Sequence, residues 1–207
     1  RIRTIERAIA GTARPLPIAG LAGYDEAGGG KGYMPVNHSG AVDSSGTRLA
    51  EAFRAHWLPK VTTGWFFRAE SFYSVARYLD QAAIEVNAAP PDFLSWSHGE
   101  GFLHFFGERL RRQGLYILDE PESALSPTRQ IDLLKLLVQV ETTGFSQVIM
   151  ATHSPLLMAC PGARLLKITR FGLEEAAYQD TEHFRMMRDF CASPEAFIMD
   201  ALLEDDG

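Results

Sequence analysis

The sequence predicts an α/β domain with a mainly parallel sheet, because strand-like and helix-like segments alternate along its second half. Residues 115–118 (LYIL) and 147–152 (QVIMAT) are short apolar runs, as expected for central strands that are buried on both faces. Residues 128–140 predict the helix between them, with Ser126 as N-cap and Pro127 in the first turn. Strands and helices that alternate at this spacing are typical of parallel sheets covered by helices.

The segments on either side of this unit continue the alternation. Residues 64–80 predict a strand followed by a helix, and residues 101–112 predict a helix with four large apolar side chains on one face. After the second buried strand, Ser154-Pro155 repeats the cap-and-proline start for a short helix. Residues 164–178 predict a β-hairpin, and two helical segments follow it.

The beginning of the chain differs in composition from the rest. The stretch IRTIERAIAG carries Ile and Ala at three- to four-residue spacing and predicts a short helix that ends at Gly11. Nine of the eighteen glycines fall within residues 1–50, so residues 22–34 and 37–48 predict flexible loops. We expect one domain over the whole chain, made of a Gly-rich part (1–63), a core that carries the sequence motifs (64–163) and a C-terminal hairpin with helices (164–207).

Composition and charge limit the class of protein. The net charge of −6 argues against a surface that coats nucleic acid, although it leaves room for a local basic groove. Cys160 and Cys191 lie far apart, which favours reduced thiols over a metal site. No apolar run approaches the roughly 18 residues that a membrane span needs, and no signal peptide is visible. We therefore expect a cytoplasmic protein without a transmembrane segment of its own.

Two adjacent acids, Asp119 and Glu120, directly follow the first buried strand. Ligands of open α/β sheets bind at the carboxyl ends of the strands, where these acids are expected to lie. Successive strand residues point to opposite sides, so one carboxylate can hold Mg²⁺ while the other polarises a water molecule aimed at phosphorus. An acidic loop without any function could follow a strand with the same sequence, so this pattern alone is weak evidence for a functional site.

Three neighbouring features strengthen the functional interpretation. His153 ends the second buried strand as the acids end the first, and could there reach a γ-phosphate or orient a water molecule. The stretch SWSHGEGF places Ser97 and Gly99 at a helix N-terminus, which favours anions. Residues 123–126 form a small-residue turn suited to close approach of another surface. Taken singly, a loop histidine and an ordinary helix cap would explain the first two.

As an ordered set, these motifs resemble those of ATP-binding-cassette (ABC-type) ATPases. LYILDEPESALSP is similar to their Walker B strand, catalytic glutamate and D-loop. SHGE at residues 97–100 resembles the signature motif of soluble bacterial predicted ATPases, and ATHSP at 151–155 resembles the switch-histidine loop. The C-terminal stretch YQDTEHFRMMRDF is similar to the end of the same group. The resemblance extends over about residues 64–204 and implies a three-layer P-loop NTPase-like domain, of the ABC-ATPase-head type, with a mainly parallel sheet.

The resemblance also implies a role for each matching residue. Asp119 would hold Mg²⁺ through water, Glu120 would be the general base that positions the attacking water, and His153 would contact the γ-phosphate of ATP. The protein would then bind ATP and Mg²⁺, form a homodimer through its signature and D-loop faces, and act on an unknown effector protein. Five further residues would complete the nucleotide site across that dimer: Ser97, His98, Gly99, Glu100 and Ser123.

The sequence departs from the family pattern at the phosphate-binding loop, G-x-x-x-x-G-K-[ST]. The stretch GYDEAGGGKGY fails as a candidate, because Asp25 stands five positions before Gly30 and Lys31 is followed by Gly32. We therefore expect an N-terminally truncated ATPase that lacks the first strand and the loop, and whose initial helix corresponds to the one after that loop. Such a chain should bind ATP weakly and show little ATPase activity by itself.

Two smaller departures concern the loops around the expected site. Ser126 stands where the D-loop of the family closes with Asp, which weakens any role of that position in activating water across a dimer. A Q-loop glutamine is not evident, and Glu70 in FFRAES is a candidate substitute.

Two alternative functions belong to other classes. The chain could be a non-catalytic interaction module that docks to a complete ATPase partner, an interpretation that the missing phosphate loop favours. It could also be a nuclease coupled to an ATPase head, but no acidic cluster follows the hairpin apart from the solvated tail over residues 200–206. The process that ATP would drive stays open, including transport by a separate membrane protein.

Overall fold

The computed structural model describes residues 2–6, 19, 22, 24, 29–30, 63–69, 72–90, 95, 98–169 and 172–204. Its strands are β1 (Ile2–Glu6), β2 (Gly29–Gly30), β3 (Gly64–Arg68), β4 (Leu115–Asp119), β5 (Gln147–Thr152), β6 (Arg164–Thr169) and β7 (Gly172–Glu175).

The strands within these residues form one seven-stranded sheet in the spatial order β2-β3-β4-β5-β1-β6-β7. The five central strands run parallel, while β2 and β7 pair antiparallel at the two edges. The sheet is therefore mainly parallel, which confirms the predicted fold class. Strands β3, β4 and β5 carry near-continuous apolar sequence because both of their faces are covered.

The helices alternate with the strands as the sequence predicts. They are α1 (Phe72–Glu85), α2 (His98–Leu110), α3 (Pro127–Thr143), α4 (Pro155–Met158), α5 (Glu182–Ala192) and α6 (Pro194–Glu204), with 3₁₀ helices η1 (Pro121–Ala124) and η2 (Tyr178–Asp180). Both predicted N-caps are present: the Ser126 hydroxyl accepts a hydrogen bond from the Arg129 N–H, and the Ser154 hydroxyl accepts one from the Leu157 N–H. None of the described helices has the length and apolar character needed to cross a membrane.

The predicted N-terminal helix is wrong over the residues described there, because Ile2–Glu6 form strand β1. This strand lies between β5 and β6 and pairs in parallel with both. Three of its five residues are β-branched, which favours extended backbone, and the two neighbouring strands satisfy its backbone groups. Apolar residues three positions apart in so short a stretch are compatible with a helix and with a strand, so periodicity alone could not distinguish the two.

The prediction of flexible loops is also corrected in part. Gly29 and Gly30 form β2, which pairs antiparallel with Phe66 and Trp65 of β3. Glycine allows a second backbone to approach closely. Strand β2 lies at the edge of the sheet and is held by backbone pairing with β3, so it needs no apolar side chain. The second predicted loop, over residues 37–48, lies outside the described residues.

The core has two parts, one on each face of the sheet. Along β4, Tyr116 and Leu118 join the helices α1, α2 and α3 on one face, while Leu115 and Ile117 join residues Ala19, Ala22 and Tyr24 on the other. This alternation follows from the two-residue period of a strand. Both faces are covered, so the domain has three layers. On the helical face, the rings of Phe67 and Phe102 lie 4.3 Å apart in an edge-to-face contact.

Both cysteines are free thiols, one buried and one exposed. Burial, together with the nearby Glu141 charge, raises the pKa of the Cys160 thiol to about 11. Cys160 therefore stays protonated at neutral pH and belongs to the helical-face core.

Candidate functional site

The predicted catalytic and metal-binding residues come together at the edge of the sheet that the carboxyl ends of its parallel strands form. In the strand register, Arg68 of β3 lies beside Asp119 of β4, and Asp119 lies beside Ala151 of β5. Because these strands are parallel, their carboxyl ends and the residues that follow them share this edge. The edge also includes the end of β1, where Glu6 pairs with Thr152.

Asp119 is buried at the end of β4 and has a buried cation beside it. Its Oδ2 atom lies 3.5 Å from Nε of Arg68, and both side chains are 7% exposed. Burying two charges is costly unless they are paired, and here each buried side chain lies beside the opposite charge of the other. Sequence reasoning missed Arg68; its only signal was a lone cation at the end of a predicted apolar strand.

Glu120 has an unusual backbone conformation. Its φ of 48° and ψ of 53° lie in the left-handed region, which costs a non-glycine residue about 1–3 kcal/mol. Hydrogen bonds hold the residue there: its N–H donates to the Ala151 carbonyl at 3.0 Å, and its carbonyl accepts from the Ser123 N–H at 3.1 Å. The Ser123 hydroxyl donates to the same carbonyl at 2.9 Å. The chain thus turns sharply between β4 and η1 at the candidate base.

The side chains of Glu120 and His153 face each other across the strand ends. Oε1 of Glu120 lies 3.6 Å from Nε2 of His153, and the side chains are 30% and 40% exposed. At this separation the pair is partly solvated, and a small rotation of either side chain would bring it within hydrogen-bonding distance. The carboxylate and the imidazole can therefore act on the same small region of space.

Glu122, in η1, fixes the loop that carries His153. One of its carboxylate oxygens accepts a hydrogen bond from the Thr152 hydroxyl at 2.7 Å, and the other accepts from the His153 N–H at 2.6 Å. The Thr152 hydroxyl also accepts from the Ser154 N–H at 3.0 Å. Thr152 is fully buried, so its hydroxyl needs this partner. Sequence reasoning missed Glu122, although it is the third acid of DEPES.

The first turn of α3 connects three neighbouring elements. The buried Gln130 amide donates to the Leu125 carbonyl at 3.1 Å and accepts from the Ser154 hydroxyl at 2.5 Å. Next to it, Arg129 pairs with Glu100 of α2 at 2.5 Å. Both side chains of this ion pair are more than a third exposed, so the pair adds little to the stability of the fold. Its main effect is to orient α2 against α3. Neither α3 residue was predicted to contribute.

The remaining predicted residues lie on the α2 side of this turn. His98 is the first residue of α2. Gly99 approaches the turn closely, since a Cβ added there would lie 3.3 Å from Cγ of Arg129 and 3.5 Å from the Ala124 carbonyl oxygen. Glu100 pairs with Arg129 instead of lying beside the tandem acids. Ser97 and the candidate Q-loop residue Glu70 lie outside the described residues.

A histidine from the C-terminal helices completes the surroundings of the site. The ring centroid of His183, in α5, lies 5.7 Å from that of His153, with 40° between the ring planes. His183 is 8% exposed. No local pattern in the sequence distinguishes it from a surface histidine of an amphipathic helix.

The site has no ready-made metal cluster among the residues that the structure describes, since no group of three or more His, Cys, Asp or Glu side chains there could hold a metal ion. Mg²⁺ commonly binds through one or two carboxylates together with substrate phosphates and water. A magnesium ion held by Asp119 would therefore need further ligands from a nucleotide and from water.

Replacing Glu122 by Ala is expected to lower the free energy of unfolding by about 2 kcal/mol, because two donors lose a charged acceptor. The buried Thr152 hydroxyl and the His153 N–H would both be affected. Urea unfolding midpoints measure the change. Glu108→Ala removes an exposed acid of α2 and should alter stability by less than about 0.5 kcal/mol. Equal midpoints for the two variants would refute this role of Glu122.

Comparison with known proteins identifies one family over the segment that holds the site. Residues 99–159 match the family described as "AAA domain, putative AbiEii toxin, Type IV TA system". One similar solved structure is described as "An inward-facing conformation of a putative metal-chelate type ABC transporter". It is 17% identical, with a TM-score of 0.38, and the match covers 90% of this chain and 63% of that chain. No curated protein matches the chain.

The family match extends from Gly99 in α2 to the end of α4 and includes Asp119, Glu120 and His153. The same segment carries the ends of β4 and β5, where these side chains meet. The chain thus resembles an ABC- or AAA-like P-loop NTPase.

Proposed function

We propose that the chain belongs to an ATP-hydrolysing head of ABC type that dimerises around ATP and passes the resulting motion to an effector protein. One observation carries the proposal: Asp119, Glu120 and His153 lie at the ends of the adjacent parallel strands β4 and β5. Phosphoryl transfer depends mainly on positioning and on stabilising charge. A buried carboxylate, a second carboxylate and an imidazole on a shared rigid edge meet this need.

Each of the three side chains has a task that suits its surroundings. Asp119 would hold Mg²⁺, which would neutralise phosphate charge when bound with the nucleotide. Glu120 is more exposed, and its carboxylate would accept the proton of the attacking water. The imidazole of His153 would donate to a γ-phosphate oxygen, with its backbone held in place by Glu122.

The surface for dimerisation would combine the start of α2 with η1. Gly99 and the Ala124 carbonyl approach each other closely, so the signature residues and the turn after the acids can form one continuous face. Ser123 keeps this turn tight through its hydrogen bonds with Glu120. An ATP molecule bound to one subunit would then meet this face of the second subunit.

The phosphate-binding loop is the part that these 207 residues do not supply. No stretch of the sequence reads G-x-x-x-x-G-K-[ST], and the residues after β1 begin RAIAGT. Without the lysine and the backbone N–H groups of that loop, the phosphates lose most of their binding partners. The 207-residue chain alone should therefore bind ATP weakly.

Light scattering and ATP turnover on the complete gene product test this proposal. With ATP and Mg²⁺, the molar mass should double, and it should return to the monomer value as ATP is consumed. The same measurements on the 207-residue chain provide the comparison. Absence of both ATP binding and turnover from the complete gene product would refute the proposal.

The missing loop motif favours one alternative, a non-catalytic module that docks to a complete ATPase. Such a module would remain monomeric with or without ATP. It would form a complex only when a chain with a phosphate loop is present. Light scattering on the mixture separates the two functions, because the proposed head needs only its own copies.

A further inference from the structure

Helix α5 contacts the domain through a histidine. Among the residues of α5, His183 is the buried one, at 8% exposure, while residues 185–192 of the same helix are exposed. A buried polar side chain is unusual at a helix contact that apolar residues could make. Its ring lies against that of His153, 5.7 Å away between centroids.

The start of α5 is held firmly in place. Thr181 is 1% exposed and caps the helix, since its hydroxyl accepts a hydrogen bond from the Phe184 N–H at 3.1 Å. The same hydroxyl donates to the Tyr178 carbonyl at 2.7 Å. The rings of Tyr178 and Phe184 then pack edge to face, 4.9 Å apart. His183 therefore projects from a well-ordered helix start with little freedom to move.

The backbone of His153 is fixed and its side chain is partly exposed. Glu122 binds its N–H, and its side chain is 40% exposed. Ordering an imidazole about its two side-chain torsions has an entropic cost, which contacts with neighbouring side chains offset. Glu120 lies on one side at 3.6 Å, and the His183 ring is the neighbouring ring from another element.

We propose that His183 is a positioning residue, whose ring holds the His153 imidazole in the orientation in which it faces Glu120. The contact makes the C-terminal helix α5 part of the site, although its residues lie outside the segment that matches the family. The effect of His183 on ATP turnover depends on the proposed function. The effect of His183 on the orientation of the His153 ring does not depend on the proposed function.

Histidine ring signals in NMR spectra of the 207-residue chain test the ring contact on which the positioning role depends, and kcat measured beside Kd tests the positioning itself. His183→Ala removes a neighbouring ring current and should shift the His153 ring signals, identified by their loss in His153→Gln. The signals of His104, exposed on α2, should stay in place. Met187→Ala is the matched control, because Met187 is 41% exposed on the same helix. Unchanged His153 signals in folded His183→Ala would overturn the proposal, as would an equal shift in Met187→Ala.

His183→Phe keeps a planar ring in place and covers the case in which His183→Ala fails to fold. Its different ring current should move the His153 signals, and wild-type signals in this variant would overturn the proposal. In the complete gene product, His183→Ala should lower kcat by about tenfold or more. The Kd for ATP should change by less than about twofold, because His183 is proposed to contact His153 and not the nucleotide. His183→Phe should recover most of the lost rate.

These measurements separate the two proposals. Shifted His153 signals, together with neither ATP binding nor turnover in the complete gene product, would support the contact between the two histidine rings and refute the proposed function. Normal turnover in His183→Ala with unshifted His153 signals would leave the proposed function intact and refute the positioning role.

Discussion

Glu120→Gln is expected to abolish most ATP turnover in the complete gene product and to leave ATP binding nearly unchanged. The amide has almost the same shape as the carboxylate, but it cannot accept the proton of the attacking water. Loss of a general base typically lowers a rate by about 10²- to 10⁴-fold. Steady-state turnover and the Kd for ATP measure the two effects separately.

The structure suggests that this substitution leaves the turn itself intact. The hydrogen bonds that hold residue 120 involve its backbone N–H and carbonyl, which Gln retains. Glu108→Gln changes an exposed acid of α2 and should turn over ATP at the wild-type rate. Because Glu120→Gln should still bind ATP but hardly hydrolyse it, this variant should also stay dimeric with ATP for longer than the wild type. An unchanged rate in Glu120→Gln would rule Glu120 out as the base.

The second large effect concerns stability, and is expected for Gly64→Ala at the start of β3. Its φ of +137° lies in a region open to glycine, and a Cβ there would lie 1.9 Å from the Leu115 carbonyl oxygen. That oxygen also accepts a hydrogen bond from the Tyr24 hydroxyl at 2.7 Å. Strained backbone and overpacking each cost about 1–3 kcal/mol, so the loss should reach about 3 kcal/mol or more. Urea unfolding of the 207-residue chain measures it.

Gly144→Ala is the matched control for this prediction. Gly144 also has a positive φ, of 67°, but nothing lies within 4 Å of a Cβ at that position. It ends α3 in the left-handed conformation, where Ala costs about 1–2 kcal/mol. The difference between the two variants isolates the contact with β4. If both lost the same stability, the close approach at Gly64 would have no energetic consequence.

The parts of the fold that were predicted correctly have strong local signals. The apolar runs of β4 and β5 and the Ser-Pro starts of α3 and α4 need no knowledge of distant residues. The N-terminal strand is different, because β1 is specified by pairing with β5 and β6 at the far end of the chain. A five-residue stretch with few apolar side chains carries too little information to indicate such partners.

The residues of the candidate site likewise fall into two groups, those that could be predicted from the sequence and those that could not. That Asp119 and His153 would lie at one edge follows from a general property of parallel sheets, so the sequence sufficed. Arg68, Glu122 and His183 contribute through contacts with residues that are distant in sequence or lie on another loop. No spacing rule connects them to the motifs, and each could equally have been a surface residue.

The first turn of α3 has a practical consequence for genetics. Arg129 and Gln130 are neighbours in the chain, yet one anchors α2 and the other anchors the segment after β5. A change that tilts this turn will disturb both sides together, so its phenotype cannot be attributed to either. Separation-of-function alleles are better sought at Glu100, which pairs with Arg129, and at Glu122, which holds the segment after β5.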